Sequence, residues 1–399
     1  MPVIGATYSL NANEIFSVLF NMIIRETTVS NNISETNSVL VDQARIDGSL
    51  YGDSVNRWST DVLKSAPWGN DAEATNLLAL HRPPAPKGQR IVLDVFRQIS
   101  LTVDNYLSKR PWMSSDSFGQ FTSVILGWIN TTKRVYDAST YNAFIGTCYS
   151  AATKNTKTVD LTSASATDPL YGLTGKEKEQ MEAMLIARDV ADLLDDLTDY
   201  TRDYNDYKFL RSYSKEGLKV VWSKKWINKI RKVDLPTTYH IDFMDKFNEY
   251  SLNERFFGTK ITTTNIGTYS ASTATTGKPL QGTGSPYTYK PGSNNANGCV
   301  RTLVEADYTV SGTTYHLFAG DELPADASVT TAELGTIYIQ DNDVICKVIS
   351  TLPPYMSSFE VATSFFNPKS LTENHYLTYG HNTLEHYLDS AFITVKASL

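Results

Sequence analysis

Cysteine, basic charge and long apolar runs are all scarce in this sequence, and each shortage argues against a class of protein. The 399 residues contain only three cysteines, Cys148, Cys299 and Cys346, and no C-x-x-C pair. An odd, widely spaced set argues against a disulfide framework or a structural zinc site and indicates a reducing compartment. The net charge of -7 argues against nucleic-acid binding by the whole surface, although it leaves room for a local basic patch.

The most apolar run near the start, "EIFSVLFNMII" at 14–24, is too short to span a membrane. It begins with an acidic residue and no basic residue precedes it, so it does not have the pattern of a signal peptide. Helical spacing puts five apolar side chains on one face. The run therefore predicts a docking helix for this fold or a neighbouring subunit, with the apolar residues Ile15, Val18, Leu19, Met22 and Ile23.

Two longer patterns follow a polar arm and a proline-rich loop. Apolar and polar residues alternate through "RIVLDVFRQISLTVD", which predicts one strand of roughly 45 Å from Arg90 to Asp104, part of it projecting. The next segment has helical spacing between a serine N-cap at Ser114 or Ser115 and a glycine stop at Gly146. It predicts a helix about 45 Å long with no catalytic motif.

The patterns after the long helix predict a second helix at 176–204, a polar insertion and a closing strand. The insertion, about 259–315, is rich in Thr, Ser, Gly and Asn, and it contains no acidic residue before 299. This composition predicts a long surface insertion with short strands. The closing strand at 391–397 should turn Ile393 and Val395 inward.

The strongest enzymatic pattern is the DDxxD spacing of Asp195, Asp196 and Asp199 on the second helix. Carboxylates at this spacing can gather around magnesium and a diphosphate. However, a matching second metal motif is missing, so we interpret the pattern as a solvated or interfacial acidic face. The acidic side is extended by Asp189, Asp192 and Asp203.

A basic tract follows that helix and includes Trp222 and Trp226. Aromatic residues between basic ones are typical of nucleic-acid grooves. Since no nucleic-acid fold signature accompanies them, we favour charge pairing with the acidic helix, on the same or a neighbouring subunit. The basic residues are Lys208, Arg211, Lys215, Lys219, Lys224, Lys225, Lys229, Arg231 and Lys232.

The remaining patterns fail as catalytic or metal sites. His381 and His386 would point about 140° apart on a helix, so they could not easily share a metal. The stretch from Gly282 to Ser285 lacks the spacing of a nucleophile elbow. Gly277-Lys278 has no glycine at the spacing that a phosphate loop requires. We therefore predict no catalytic residue, metal site or cofactor.

The order of elements is more informative than any motif. A docking helix and polar arm precede a projecting hairpin and a long helix that ends in "YNAFIGT", and a compact domain follows. This α+β order resembles the HK97-like major capsid proteins of tailed double-stranded DNA phages, in particular the small short-tailed or gut phage type. The resemblance implies an N-terminal arm, an extended β-hairpin loop, a spine helix, and peripheral and axial domains.

The resemblance also implies boundaries. These are an arm at 1–44, an extended loop and long strand at 45–100, a peripheral domain with the spine helix at 101–155, an axial domain at 156–350 and a return to the peripheral domain at 351–399. It implies a non-enzymatic virion protein, assembled in the bacterial cytoplasm, that forms pentamers and hexamers of an icosahedral head. Its expected partners are further copies, portal, scaffold or decoration proteins, and packaged DNA by non-specific proximity, with no membrane.

Two alternatives remain open at the level of the sequence. The Thr/Gly-rich stretch would also suit another virion part, such as a tail, neck or receptor-binding protein, which would form rings, trimers or fibres. A magnesium-dependent enzyme of the DDxxD type is the more distant one, and it would lose its turnover in an Asp195→Ala variant.

Overall fold

A computed structural model of the chain describes residues 37–47, 54–65, 82–104, 115–232, 248–273, 275–292 and 299–399. The predicted docking helix at 14–24 lies outside the described residues.

The described helices are α1 (Val39–Ala44), α2 (Ser115–Thr147), α3 (Gly175–Asp196), α4 (Lys224–Lys232) and α5 (Ile266–Tyr269). The described strands are β1 (Arg45–Asp47), β2 (Ser54–Ser59), β3 (Lys87–Val92), β4 (Val95–Asp104), β5 (Thr156–Asp160), β6 (Lys219–Ser223), β7 (Asn248–Leu252), β8 (Gly258–Lys260), β9 (Ser270–Ala271), β10 (Leu280–Gln281), β11 (Tyr287–Tyr289), β12 (Val300–Thr302), β13 (Ala306–Val310), β14 (Thr313–Leu317), β15 (Ser328–Val329), β16 (Ile337–Gln340), β17 (Val344–Ile349), β18 (Tyr355–Asn367), β19 (Thr372–Thr383) and β20 (Phe392–Ser398).

Helix α2 connects two sheets. Its 33 residues span about 50 Å, and every residue at 136–143 is buried. Ile129 and Tyr136 pack against Leu377 and Tyr379 of β19. One turn further on, Tyr141 and Ile145 belong to a core shared with the strands of the second sheet, at Val221, Val344, Ile349 and Phe392. The predicted helix is confirmed, and the burial of 136–143 on all sides shows that this part of it lies inside the protein.

The first sheet has the strand order β1-β18-β19-β4. Strands β18 and β19 form a long antiparallel hairpin, and β4 pairs with β19 from Val95 to Asp104. On the other side, β1 runs parallel to the first three residues of β18. This sheet packs against α2 at Ile129 and Tyr136.

The second sheet has the order β5-β20-β17-β6-β7. All six residues of β17 are buried, as in a strand covered on both faces. Helices α3 and α4 cover one face through Val190, Leu194, Trp226 and Ile230, and the end of α2 covers the other. Both Ile393 and Val395 are buried as predicted, but Phe392 and Thr394 are buried too, because β20 is a central strand.

The domain boundaries that the resemblance implies place all of 351–399 in one domain with the spine helix. Strand β20 forms its pairs elsewhere. Strands β18 and β19 do lie on α2, whereas β20 pairs with β5 and β17. These two strands come from the segment at 156–350. The hydrogen bonds of β20 therefore tie the chain's last strand to the second sheet.

The region at 258–340 folds around a core of its own. The predicted short strands are present, but the surface insertion of about 259–315 does not stand alone. Its few apolar residues pack together with residues from 323–339, so the two segments form one small β-unit. The core contains Ile261, Leu280, Tyr289, Val300, Tyr308, Leu323, Val329, Ile337 and Ile339.

Two predicted boundaries are wrong for identifiable reasons. The single strand from Arg90 to Asp104 is interrupted at 93–94, because β3 pairs with β2 whereas β4 pairs with β19. The helix predicted at 176–204 ends at Asp196, and the chain then turns back through a pairing of Thr201 with Arg211.

Candidate functional site

The β2–β3 hairpin is attached to the rest of the protein by two loops, 201–211 and 386–390, which we call the hairpin seat. Asp61, just after β2, accepts hydrogen bonds from the Arg202 guanidinium at 2.5 Å and from the Leu210 amide at 2.9 Å. These bonds, led by that of Arg202, lower the pKa of Asp61 to about 2. The carboxylate therefore stays charged, and the hairpin stays held, well into the acid range.

The second loop of the hairpin seat holds both strands of the hairpin. Arg57 of β2 forms an ion pair of 3.0 Å with Asp389, and its guanidinium lies 4.1 Å from the centre of the Tyr387 ring. Gln89 of β3 donates to the His386 carbonyl at 3.2 Å and accepts from the Leu388 amide at 2.9 Å. The orientation of the hairpin base is thus fixed by side chains that the sequence places in four separate segments.

A buried polar network connects the hairpin seat to the end of α2. The Cys148 thiol lies 3.4 Å from Nδ1 of His386, and Nε2 of His386 lies 2.7 Å from the Asp206 carboxylate. Ser150 donates to the other oxygen of Asp206. Burial alone would lower the pKa of His386, but its bonds to Asp206 and Cys148 outweigh burial and raise that pKa to about 10.

This Cys–His–Asp order resembles the layout of a thiol nucleophile, but the setting is that of a structural network. Cys148 is only 1% exposed, and His386 is buried as well. A nucleophile must reach its substrate, and these side chains lie within the packed junction of helix, sheet and hairpin. This network of side chains therefore connects those elements through hydrogen bonds.

The pKa of His386 gives a testable pH dependence. A folded-state pKa raised from 6.5 to about 10 means that the stabilisation is complete below about pH 6.5 and is lost as the pH rises to 10. We expect the difference in melting temperature between the wild type and His386→Gln to be largest near pH 6 and to shrink steadily toward pH 10. Thermal unfolding at several pH values measures it, and a difference independent of pH would contradict the charged imidazole.

Lys347 lies beside this network in the middle of β17 and is completely buried. Its ammonium donates to the Cys148 carbonyl at 2.5 Å and lies 4.4 Å from the centre of the Tyr149 ring. Burial lowers the pKa of Lys347 to about 7. The Lys347 amine thus satisfies a carbonyl at the end of α2 for which the helix itself supplies no partner.

A second buried cluster fixes the segment that precedes the hairpin. Asp137 of α2, whose side chain is 1% exposed, accepts from Tyr355 at 2.6 Å and pairs with Arg45 at 3.2 Å and Lys133 at 3.5 Å. Burial raises the pKa of Asp137, and the neighbouring cations and hydroxyl oppose the rise. Through Arg45, this cluster ties β1 to the spine helix.

The sequence argument placed the two histidines on one helix, whereas the structure places His381 in β19 and His386 in the loop that follows it. His381 is buried in β19, where Nε2 lies 2.7 Å from the Tyr136 hydroxyl and the ring stacks on Tyr355. Burial lowers the pKa of His381 to about 4, so this ring is neutral near pH 7. In the part of the chain that the structure describes, no cluster of three His, Cys, Asp or Glu side chains could hold a metal ion.

The acidic helix and the basic tract pair with each other, which confirms that interpretation of the sequence. Asp195 pairs with Lys215, and Glu182 pairs with Lys229. Asp196 accepts from the Tyr204 hydroxyl, and Asp199 accepts from a neighbouring amide. The two tryptophans that suggested a nucleic-acid groove, Trp222 and Trp226, are core residues with 1% and 3% exposure.

The glycine-rich patterns have local roles. Ser285 accepts a hydrogen bond from the Thr331 amide, and Lys278 donates to the carbonyls of Gly267 and Thr268. Both residues belong to the small β-unit. Among the described helices, none is long and apolar enough to cross a membrane.

Comparison with known proteins identifies the fold. No family model matches the sequence, and no curated protein matches it. In the capsid structure of Staphylococcus phage Andhra, a chain superposes with a TM-score of 0.57 at 11% identity, covering 94% of this chain and 87% of that chain. A chain in the structure of the head fiber and inner core protein gp22 of native bacteriophage P68 superposes with a TM-score of 0.55 at 11% identity, covering 93% and 87%.

These likenesses extend over nearly the whole chain rather than one domain of it. The chain has the HK97-like fold of phage capsid proteins, an α+β architecture built around a spine helix, as the sequence predicted.

Proposed function

We propose that this protein is a major capsid protein, a structural subunit that assembles into the pentamers and hexamers of an icosahedral phage head around double-stranded DNA. The observation that carries the proposal is the superposition of 94% of the chain on a subunit from a phage capsid. A likeness over nearly the whole length supports a shared role better than a likeness confined to one domain would.

The surface supports self-assembly. Large apolar side chains are exposed on the hairpin and on the first sheet, including Trp58 at 70% and Leu63 at 71%. Exposed aromatic and aliphatic residues outside the core are typical of surfaces that bind partners. In a shell of identical subunits, each such contact is repeated around every ring, so individually weak contacts give a stable particle.

The domain roles follow from this proposal. The first sheet and α2 would form the peripheral domain, and the second sheet with α3 and α4 would form the axial domain. The small β-unit at 258–340 would be a family-specific addition to that domain. Portal, scaffold or decoration proteins, and assembly in the bacterial cytoplasm, belong to the same proposal.

Electron microscopy of the purified protein, paired with its sedimentation profile, tests the proposed function. We expect closed shells, or rings of five and six subunits. Elongated trimers or fibres would instead favour a tail, neck or receptor-binding protein, and a stable monomer at high concentration would contradict assembly by this chain alone.

A further inference from the structure

Among the described strands, none pairs with one edge of β18 along about half of its length, and we call this stretch the open edge. On its outer side, only its first three residues, at 355–357, pair with β1. From Glu360 to Asn367 the strand pairs with β19 on its inner side, and no described strand pairs with its outer side. Along this stretch, alternate residues therefore present their amide and carbonyl groups outward at the edge of the sheet.

Between the charge and bulge at Glu360 and the turn that begins at Pro368, this edge lacks the features that normally protect such strands. The residues at 361–367, "VATSFFN", include no charge, no proline and no glycine. The first proline and lysine, Pro368 and Lys369, come only in the turn that follows. Natural edge strands usually carry charges, prolines or bulges that prevent pairing with another chain. A long unprotected edge is therefore a site at which pairing is permitted.

Two exposed aromatic residues lie on opposite faces of the open edge. Phe365 is 63% exposed and Phe366 is 48% exposed. Since successive side chains in a strand point to opposite faces, a flat surface could cover only one of these rings. An added strand can cover both, because its own side chains alternate between the two faces.

We propose that residues 360–367 bind an extended strand from a second copy of this chain, which continues the first sheet across the subunit boundary. The same edge already holds an extended segment at β1, so pairing with this side of β18 occurs within one subunit. The choice of a second copy rests on the proposed function, because a shell built from one repeated chain places another copy beside every edge. Main-chain hydrogen bonds would provide the binding, and the two rings would add apolar contact.

Amide hydrogen exchange at single-residue resolution, on the unassembled subunit and on particles formed from the purified chain alone, tests strand addition. Alternate amides at 361–367 point inward to β19 and outward to the open edge. We expect the outward amides to gain at least about tenfold protection on assembly, while the inward ones change little. Equal exchange before and after assembly, or uniform protection of all seven, would overturn the pairing.

Three single variants complete the test. Phe365→Lys and Phe366→Lys place a charge on each face of the open edge, and both residues are exposed, so the urea midpoint of the subunit should not change. We expect each to raise the concentration needed for assembly by about tenfold or more. Tyr315→Lys is the matched control, an exposed aromatic residue on β14 with the same charge change, and it should assemble as the wild type does.

The outcomes separate this inference from the proposed function. If the wild type forms shells and both phenylalanine variants do so at the same concentration, the edge inference is wrong and the capsid function stands. If the wild type forms no shells but the outward amides become protected in another oligomer, the edge inference stands and the capsid function is wrong. Protection that appears only in virions containing other proteins would overturn the choice of a second copy.

Discussion

An alanine at position 146 is expected to destabilise the protein by about 2–3 kcal/mol, because a side chain there would collide with backbone. A Cβ at Gly146 would lie 2.0 Å from the carbonyl oxygen of Phe256. No rotamer change can relieve that contact, so the turn at Glu254–Phe256 would have to move away from α2. The displacement would strain the strand pairing of β8, which follows that turn.

Gly127 provides a control within the same helix. A Cβ at Gly127 would have no atom within 4 Å, so Gly127→Ala should raise stability by up to about 1 kcal/mol through helix propensity alone. Urea unfolding of both variants measures the difference. If Gly146→Ala were as stable as Gly127→Ala, the close approach of α2 to the turn would be wrong.

Loss of the Asp137 carboxylate is expected to have the largest effect of any single substitution described here. Asp137→Ala should cost about 3–5 kcal/mol, because it leaves the nearly buried Lys133 cation and the Tyr355 hydroxyl without their shared acceptor. The exposed Glu360 also pairs with Lys133, at 3.2 Å, and can compensate only in part. Unfolding in urea measures the total loss.

The same variant should also release the segment at 39–47, since Arg45 would lose its partner on α2. Hydrogen exchange in that segment should rise well before global unfolding. Asp195→Ala is the control, because it removes an exposed pair with Lys215 and should cost no more than about 0.5 kcal/mol. Equal effects of the two substitutions would show that the buried cluster contributes no more than a surface pair.

The sequence was sufficient where the pattern is local. The spacing of apolar residues predicted α2 almost to the residue, and alternation predicted β4. The opposite charges of the acidic helix and the basic tract predicted that the two would pair, as Asp195 and Lys215 do. In each case the signal lies in neighbouring residues or in charge, both of which can be read before the fold is known.

The sequence was insufficient where partners are distant. Gly146 suggested a helix stop, whereas the helix continues through Thr147 and the glycine admits the Phe256 carbonyl. Nothing near Cys148 indicates that His386 and Asp206 meet it, because the fold brings these three segments together. The polar composition of 259–315 likewise gave no sign of a core. A small β-unit needs few apolar residues of its own when strands from later in the chain complete the core.

The placement of β20 in the second sheet has a consequence for biosynthesis. On the ribosome, β5 emerges long before the strand at Phe392–Ser398 with which it pairs. Contacts so distant in sequence fold slowly, and an unfilled gap between β5 and β17 exposes edges during synthesis. A chain that is still being translated therefore lacks the completed second sheet until the strand at Phe392–Ser398 has been made.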